Sequence, residues 1–261
     1  MSYKYSETGV IILGSGTCVP SLNRSSCSVL ILEETQKMLL DVGAGTVRRL
    51  LEAGIQIRSI SDLLLSHFHP DHSGELPTFL FANKYPETDP RESVLRISGG
   101  HGLKKFYAGL RNAFGRVIEL PEPLFELIEF RTDGPDTRQF DRILVETLPV
   151  VHRPESVAYR FTMPSGKTLV YSGDTGCCRE LIELSRNSDL LICECSFPDG
   201  SGVRGHLTPS LAGKIATRAE VKKLVLTHFY PQCERVDIKA QCRMTYGGPL
   251  VLATDLMRIT L

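Results

Sequence analysis

The residues of this 261-residue chain that are best suited to chemistry are three histidines and an aspartate within six positions, the run His-Phe-His-Pro-Asp-His at 67–72. Neutral imidazoles are the commonest metal ligands among side chains, and carboxylates complete such sets. His67 and His69 stand two apart in an extended segment and can point to one side, whereas Pro70 forces a turn that redirects Asp71 and His72. The spacing therefore suits two adjacent divalent metals better than one, with Zn²⁺ favoured and Mn²⁺ or Fe²⁺ also compatible.

These side chains need an element to position them, and the sequence offers a repeated one. Residues 63–70 have the sequence LLLSHFHP, and residues 224–231 have the sequence LVLTHFYP. Each is an apolar strand pattern that ends in Ser or Thr and continues as His-Phe-x-Pro, so His228 occupies the position of His67. Layered αβ proteins place site residues where a buried strand meets a loop. The repeat therefore predicts that both histidines lie at strand ends.

Short strand patterns recur along the chain, and helical periodicity falls between only some of them. Strands are predicted at 10–13, 27–32, 38–41, 63–66, 94–98, 143–147, 157–161, 168–172, 190–194, 225–228 and 250–253. Helices are predicted at 46–53, 76–84, 103–114, 179–185 and 209–219, the last with Thr208 as N-cap and Pro209 as its first residue. The turn-rich segment 131–141 is expected to be an exposed loop. This order favours one layered αβ domain with mixed sheets over residues 1–261.

Composition narrows the function classes. Thirty basic and 30 acidic side chains give zero net charge, and 42% of the residues are apolar against 23% charged. These values are typical of a globular protein and exclude a disordered chain or a nucleic-acid binder that works through bulk charge. The sequence has no apolar run near the roughly 18 residues of a membrane span and no apolar export signal in residues 1–9, so a cytoplasmic location without membrane contact is expected. A homodimer remains open.

The eight cysteines include no Cys-x2-Cys pair, which predicts reduced and mostly buried thiols rather than disulfides. A structural zinc site would require the fold to gather four of them from separate parts of the chain, Cys193, Cys195, Cys233 and Cys242.

The His-x-His-x-Asp-His run resembles the metallo-β-lactamase superfamily, and the resemblance extends over essentially the whole chain. It implies an α/β (α+β) fold built as a four-layer αβ/βα sandwich with two mixed sheets. It also implies three further metal ligands, each after a strand: His152, Asp174 and His228. The loops at 14–17 and 41–45 are similar to those that the family places beneath its site.

The resemblance further implies how the ligands divide between two metals. One metal would be bound by His67, His69 and His152. The other would be bound by Asp71, His72 and His228, with Asp174 as the bridge. Relatives with a redox di-iron centre carry a carboxylate where this chain has His69, so hydrolysis is the expected chemistry.

Glu194-Cys195-Ser196-Phe197 and His206-Leu207-Thr208 are similar to the paired loops of ribonuclease Z and its phosphodiesterase relatives. A phosphodiester expels a poor alkoxide leaving group unless that oxygen is protonated, and a histidine held by a carboxylate is a suitable general acid. The resemblance therefore implies that His206 protonates the leaving oxygen and that Glu194 orients it. Asp71 would help to hold and deprotonate the attacking water.

One departure from ribonuclease Z bears on the substrate. Bacterial and archaeal members carry a tRNA-gripping arm between the third and fourth metal motifs, but here His152 and Asp174 are only 22 residues apart. Together with the zero net charge, this favours a small phosphodiester or nucleotide, such as a cyclic nucleotide, over a long nucleic acid. A tRNA 3′-processing endonuclease, a thioesterase or lactonase, and a non-enzymatic binding module remain alternatives. Of these, the module is disfavoured because structural zinc sites are closed and rich in sulfur.

Overall fold

The computed structural model describes residues 8–34, 36–85 and 91–261. The strands within these ranges are, in chain order, β1 (Gly9–Gly14), β2 (Ser28–Glu33), β3 (Gln36–Leu40), β4 (Asp62–Leu65), β5 (Leu95–Gly99), β6 (Phe125–Glu129), β7 (Asp136–Phe140), β8 (Ile143–Pro149), β9 (Val157–Thr162), β10 (Thr168–Tyr171), β11 (Leu190–Glu194), β12 (Leu224–Thr227), β13 (Leu250–Leu252) and β14 (Met257–Thr260). The α-helices are α1 (Thr46–Glu52), α2 (Pro70–Ser73), α3 (Leu76–Lys84), α4 (Leu103–Phe114), α5 (Arg179–Leu184), α6 (Pro209–Arg218) and α7 (Ile238–Arg243).

The strands form two seven-stranded sheets with the same plan. The first sheet has the order β14-β1-β2-β3-β4-β5-β6, and the second has the order β13-β12-β11-β10-β9-β8-β7. In the first sheet the strands from β14 to β3 pair antiparallel and those from β3 to β6 pair parallel. In the second sheet β7 to β10 pair antiparallel and β10 to β13 pair parallel. Both sheets are mixed and flanked by helices, which confirms the predicted sandwich.

The alternation of side chains along β1 shows how the layers are held together. Val10 and Ile12 belong to the apolar cluster that includes Phe161 of the other sheet. Ile11 and Leu13 belong instead to a second cluster, which includes residues of α1, α3 and α4. Because successive strand residues point to opposite faces, one strand joins the interior between the sheets to the outer helices. Burying one such side chain contributes roughly 1.5–3 kcal/mol.

Three strands and two helices are absent from the sequence prediction. The segment 131–141 is not only a loop, because β7 lies within it, and β6 and β14 were also missed. All three are edge strands whose side chains are almost all half-buried or exposed. The missed helices, α2 and α7, are only four and six residues long. Thr208 does occupy the N-cap position before Pro209, but its side chain makes no capping hydrogen bond.

All eight cysteines are unpaired, and six of them are buried. Burial raises the pKa of Cys233 to about 12 and that of Cys242 to about 11, so these thiols stay protonated at neutral pH. Within the described ranges, no cysteine joins a group of three or more side chains that could share a metal, so a cysteine zinc site finds no support.

None of the helices in the described ranges combines the length and the apolar character that a bilayer span requires. The expectation for the N-terminus concerns mostly residues 1–7, which lie outside those ranges.

Candidate metal site

The chemistry-bearing residues lie where several strands end at one edge of the sandwich. In the second sheet β10, β11 and β12 are parallel neighbours, so Asp174, Glu194 and His228 emerge at the same edge. The loop after β10 meets the end of β4 from the first sheet, where His67 follows. A Cβ atom at Gly173 would lie 2.5 Å from the Ser66 Cβ, and the φ of Gly173 is +55°. Only glycine fits such a junction.

The turn predicted at Pro70 is the one-turn helix α2. His69 is its N-cap residue in an extended conformation, and Pro70 is its first residue. Asp71 and His72 lie on this turn and are buried, so their side chains leave the chain in a different direction from those of His67 and His69. Proline at the first helical position has a φ that suits the helix and lacks only an N–H that would be unpaired there.

The structure brings the seven predicted ligand residues together in two groups. His67, His69, His152 and Asp174 form one group, and Asp71, His72 and His228 form the other; in each, the candidate ligand atoms lie within 4.8 Å of one another.

Asp174 lies between the two groups. Its Oδ2 is 3.8 Å from Nε2 of both His67 and His152. Its Oδ1 is 3.1 Å from Nε2 of His72 and 3.2 Å from Nε2 of His228. One carboxylate oxygen of Asp174 thus faces each group of imidazoles.

The hydrogen bonds on the far side of the imidazoles fix which nitrogen faces the centre. Nδ1 of His72 donates to Asp41 at 2.7 Å, and Nδ1 of His228 contacts the Ser196 hydroxyl at 3.0 Å. In the neutral form that binds a metal, a ring protonated on Nδ1 has its lone pair on Nε2, and the two Nε2 atoms lie 3.2 Å apart. Burial lowers the pKa of His72, but the charges of Asp174 and Asp41 outweigh this effect and raise it well above its ordinary value, so a proton competes with a metal at this Nε2. In the first group, Nδ1 of His152 donates to a backbone carbonyl, and its Nε2 lies 3.2 Å from Nδ1 of His69.

Facing lone pairs repel unless a proton or a metal cation lies between them. Two further buried acceptor atoms, Nε2 of His67 and Oδ1 of Asp174, have no hydrogen-bond partner among the described residues. Burial lowers the pKa of His67 well below its ordinary value, so this ring is neutral at pH 7, as a metal ligand must be. The nitrogen and oxygen donors therefore fit two divalent cations.

Asp41 lies in the loop at 41–45 that the resemblance placed beneath the site, and it accepts a hydrogen bond from His72 of the second group, a contact that the sequence did not reveal. It is fully buried with φ +58° and accepts four hydrogen bonds, from the Ser66 N–H and hydroxyl, His72 Nδ1 and the Tyr171 hydroxyl, at 2.6–2.8 Å. A left-handed conformation at a residue other than glycine is unfavourable and is kept only where the surroundings impose it. The sequence feature that could have indicated this role is an aspartate at the end of a predicted strand, directly before Val42-Gly43-Ala44-Gly45.

Asp41→Asn should weaken metal binding without unfolding the protein. Asparagine tolerates φ near +58° and keeps an oxygen acceptor, but it removes the negative charge that makes His72 a stronger ligand. We expect about 10- to 100-fold weaker Zn²⁺ binding, measured by competition with a chromophoric chelator. The thermal midpoint should also fall, because the amide NH2 replaces an oxygen that accepts from buried donors. Wild-type Zn²⁺ affinity in this variant would contradict the role assigned to Asp41.

Glu194 and His206 lie directly beside the two groups. His206 Nδ1 donates to Glu194 Oε1 at 2.9 Å, and it lies 3.9 Å from Oδ2 of Asp174. Burial lowers the pKa of His206, but the hydrogen bond and charge of Glu194 outweigh this effect and raise it above its ordinary value. The geometry also places His206 with Asp174 and His228 in a third group that could hold a metal. The hydrogen bond of His206 to Glu194 favours transfer of a proton by His206 over binding of a metal.

Comparison with known proteins places this site in a family. A model of the family described as anti-Pycsar protein Apyc1 matches residues 8–246. The ribonuclease Z of Methanosarcina acetivorans is 31% identical over 265 residues, which cover 84% of this chain and 86% of that protein.

Solved structures share the fold at lower identity. The metallo-β-lactamase-fold protein YhfI of Bacillus subtilis superimposes with a TM-score of 0.81 at 23% identity, covering 97% of this chain and 98% of the other. The short form of human tRNase Z superimposes with a TM-score of 0.78 at 22% identity, with the same coverage. The chain therefore belongs to the anti-Pycsar protein Apyc1 family, within the ribonuclease Z-like metal-dependent hydrolases of metallo-β-lactamase fold.

Proposed function

We propose that the protein is a dimetal phosphodiesterase that hydrolyses a small phosphodiester or nucleotide. The observation that carries the proposal is the Glu194–His206 pair at 2.9 Å, beside Asp174 and the two ligand groups. Hydrolysis of a β-lactam, a lactone or a thioester has less need of a separate acid for the leaving group. An alkoxide leaving from phosphorus does need one, and a carboxylate-held histidine supplies it.

The chain's own residues have distinct parts in the reaction. His67, His69, His152, Asp71, His72 and His228 would bind two divalent cations, and Asp174 would bridge them. Such cations, when bound, lower the pKa of water and stabilise charge on phosphoryl oxygens. Asp71, the least buried of the carboxylates at the centre with 8% exposure, would accept a hydrogen bond from the attacking water and orient it. His206 holds Nδ1 against Glu194, which leaves Nε2 to deliver a proton to the leaving oxygen.

The short connection between His152 and Asp174 supports a small substrate. All of its residues are described, and they comprise a short loop after His152, β9, a turn at 163–167, β10 and two residues before Asp174. No arm extends from this region of the structure. The alternative, a tRNA 3′-processing endonuclease, draws support from the similarity to ribonuclease Z. The two substrate classes differ in charge, so their dependence on salt separates them.

Zn²⁺ is the proposed metal, because the donor set combines imidazole nitrogens with carboxylate oxygens. Mn²⁺ and Fe²⁺ would fit the same donors. The cytoplasm is the proposed compartment, since all eight cysteines are unpaired and such thiols persist in reducing surroundings.

A substrate panel tests the proposal. The metal-loaded protein should hydrolyse bis(p-nitrophenyl) phosphate and at least one of the 2′,3′- and 3′,5′-cyclic nucleotides. At matched salt, kcat/KM for pre-tRNA should be lower than for the cyclic nucleotide by about tenfold or more, because no arm is present to bind the polyanion. Nitrocefin and an acyl thioester serve as control substrates and should not be turned over.

Two results would overturn parts of the proposal. Efficient pre-tRNA cleavage would replace the small substrate with tRNA. Turnover of the thioester or of nitrocefin without phosphodiester hydrolysis would remove the phosphodiesterase assignment altogether.

A further inference from the structure

Glu194 makes more contacts than it would need if its only role were to orient His206. It is 1% exposed, and five donors converge on its carboxylate. Oε1 accepts from His206 Nδ1 and, at 2.8 Å, from the Thr175 N–H next to Asp174. Oε2 accepts from the Leu207 N–H at 3.1 Å and from both the N–H and the hydroxyl of Ser196, at 3.2 and 2.6 Å.

The Ser196 hydroxyl connects this carboxylate to a candidate metal ligand. Its single proton is committed to Glu194, because an ionised carboxylate can only accept. The Ser196 oxygen must therefore act as the acceptor toward His228 Nδ1 at 3.0 Å. His206 Nδ1 also lies 3.1 Å from this oxygen, but its proton is donated to Glu194. Ser196 is fully buried, so water cannot replace it as the partner of His228 Nδ1.

This direction of donation determines the tautomer of His228. With the proton on Nδ1, the ring presents a lone pair on Nε2, the atom that lies 3.2 Å from Asp174 Oδ1 and 3.5 Å from Asp71 Oδ2. The opposite tautomer would point a proton at the centre and block metal binding. The φ of His228 is +61°, so this residue is also held in a backbone conformation that local sterics disfavour.

We propose that Ser196 is a positioning residue for the second metal, and that Glu194 acts through it on His228 as well as directly on His206. One buried carboxylate thus orients both the general acid and a ligand of the metal centre. The catalytic half of this inference rests on the proposed function, whereas the metal-binding half does not.

The inference changes what Glu194 variants should do. If Glu194 served His206 alone, Glu194→Gln would affect proton delivery and leave metal binding intact. With Ser196 as the link, Glu194→Gln and Ser196→Ala should both weaken the second metal. Their effects should be non-additive in the double variant, because the two residues act through one chain of hydrogen bonds.

Zinc titration of the metal-free protein tests the link between Ser196 and the second metal, because it measures metal binding directly and needs no activity assay. Zn²⁺ is the probe, a chromophoric chelator is the competitor, and both stepwise dissociation constants are measured. The variants are Ser196→Ala, Ser196→Cys, Ser196→Thr, Glu194→Gln and the Ser196→Ala/Glu194→Gln pair. Ser98→Ala is the matched control, since Ser98 is equally buried and its hydroxyl has no partner among the described residues.

The Zn²⁺ bound by the group of His67, His69 and His152 should bind all variants as it binds wild type, whichever group fills first. The Zn²⁺ bound by the other group should bind about 10- to 100-fold more weakly to Ser196→Ala and Glu194→Gln, the usual effect of removing a partner behind a ligand. Ser196→Thr keeps the hydroxyl and should stay near wild type. Ser196→Cys keeps the shape with a weak acceptor, so it should lose affinity even if Ser196→Ala does not fold.

Unchanged second-site affinity in folded Ser196→Ala or Ser196→Cys would overturn the inference. A wild type that binds two Zn²⁺ with this dependence on Ser196 but hydrolyses no phosphodiester would overturn the proposed function and leave the metal-binding inference standing.

Discussion

Replacing Asp174 with alanine should remove the second metal, weaken the first and abolish nearly all turnover. Among the described residues, Asp174 is the one with an oxygen toward each ligand group, 3.8 Å from two imidazole nitrogens and 3.1–3.2 Å from two others. Its charge offsets the repulsion between two adjacent cations, and no neighbouring carboxylate has the same position. We expect a loss of at least 10³-fold in kcat/KM for any substrate, on the scale of removing a group that stabilises the transition state directly.

Elemental analysis after Zn²⁺ loading and desalting measures the first part of this result, with about two metals per wild-type chain and at most one per variant chain. Asp133→Ala is a suitable control because Asp133 is exposed and pairs only with Arg131 in the described structure. An Asp174→Ala protein that retains two metals would exclude Asp174 as the bridge.

Replacing His206 with alanine should cost an amount that depends on the leaving group. p-Nitrophenolate departs readily without a proton, whereas a ribose alkoxide does not. General acid catalysis contributes about 10²–10⁴-fold, so kcat/KM for a nucleotide ester should fall by about 10²-fold or more. The loss for bis(p-nitrophenyl) phosphate should be far smaller. His101→Ala is the control, because His101 is exposed and belongs to neither ligand group.

The ratio of the two losses identifies what His206 does. Equal losses on both substrates would mean that it binds the phosphoryl group or a metal, as the third group of Asp174, His206 and His228 would allow. No loss on either substrate would make it only a turn residue before the helix that starts at Pro209.

Most of the strands and the strand-end positions of two candidate ligands could be predicted from local signals, whereas the two-sheet sandwich and the ligands His152 and Asp174 were implied by the family resemblance. An apolar strand that ends in Ser or Thr before a histidine marks a buried strand and its exit, and this pattern located both His67 and His228. The strands that were missed, β6, β7 and β14, lie at sheet edges. An edge strand has one unpaired side and packs less, so residues such as Thr137, Arg138 and Gln139 show no apolar alternation.

The residues that hydrogen-bond to the candidate ligands, Ser196 and Asp41, were not predicted, and the reason is different. Ser196 and Asp41 act through contacts with residues 32 and 31 positions away, at 3.0 and 2.7 Å. A serine or an aspartate at a strand end is common, and only the fold shows that a histidine lies opposite. Sequence reasoning therefore assigned Glu194 to His206 alone, because the path through Ser196 depends on how two neighbouring strands end.

Metal-dependent activity measured as a function of metal content tests the central claim most directly. Chelated protein is titrated with Zn²⁺, and hydrolysis of bis(p-nitrophenyl) phosphate is followed at each ratio of metal to chain. A dimetal phosphodiesterase should show little hydrolysis without metal, a rise that continues beyond one metal per chain and a plateau at two. A plateau at one metal per chain, or hydrolysis that persists in the chelated protein, would contradict the proposed dimetal mechanism.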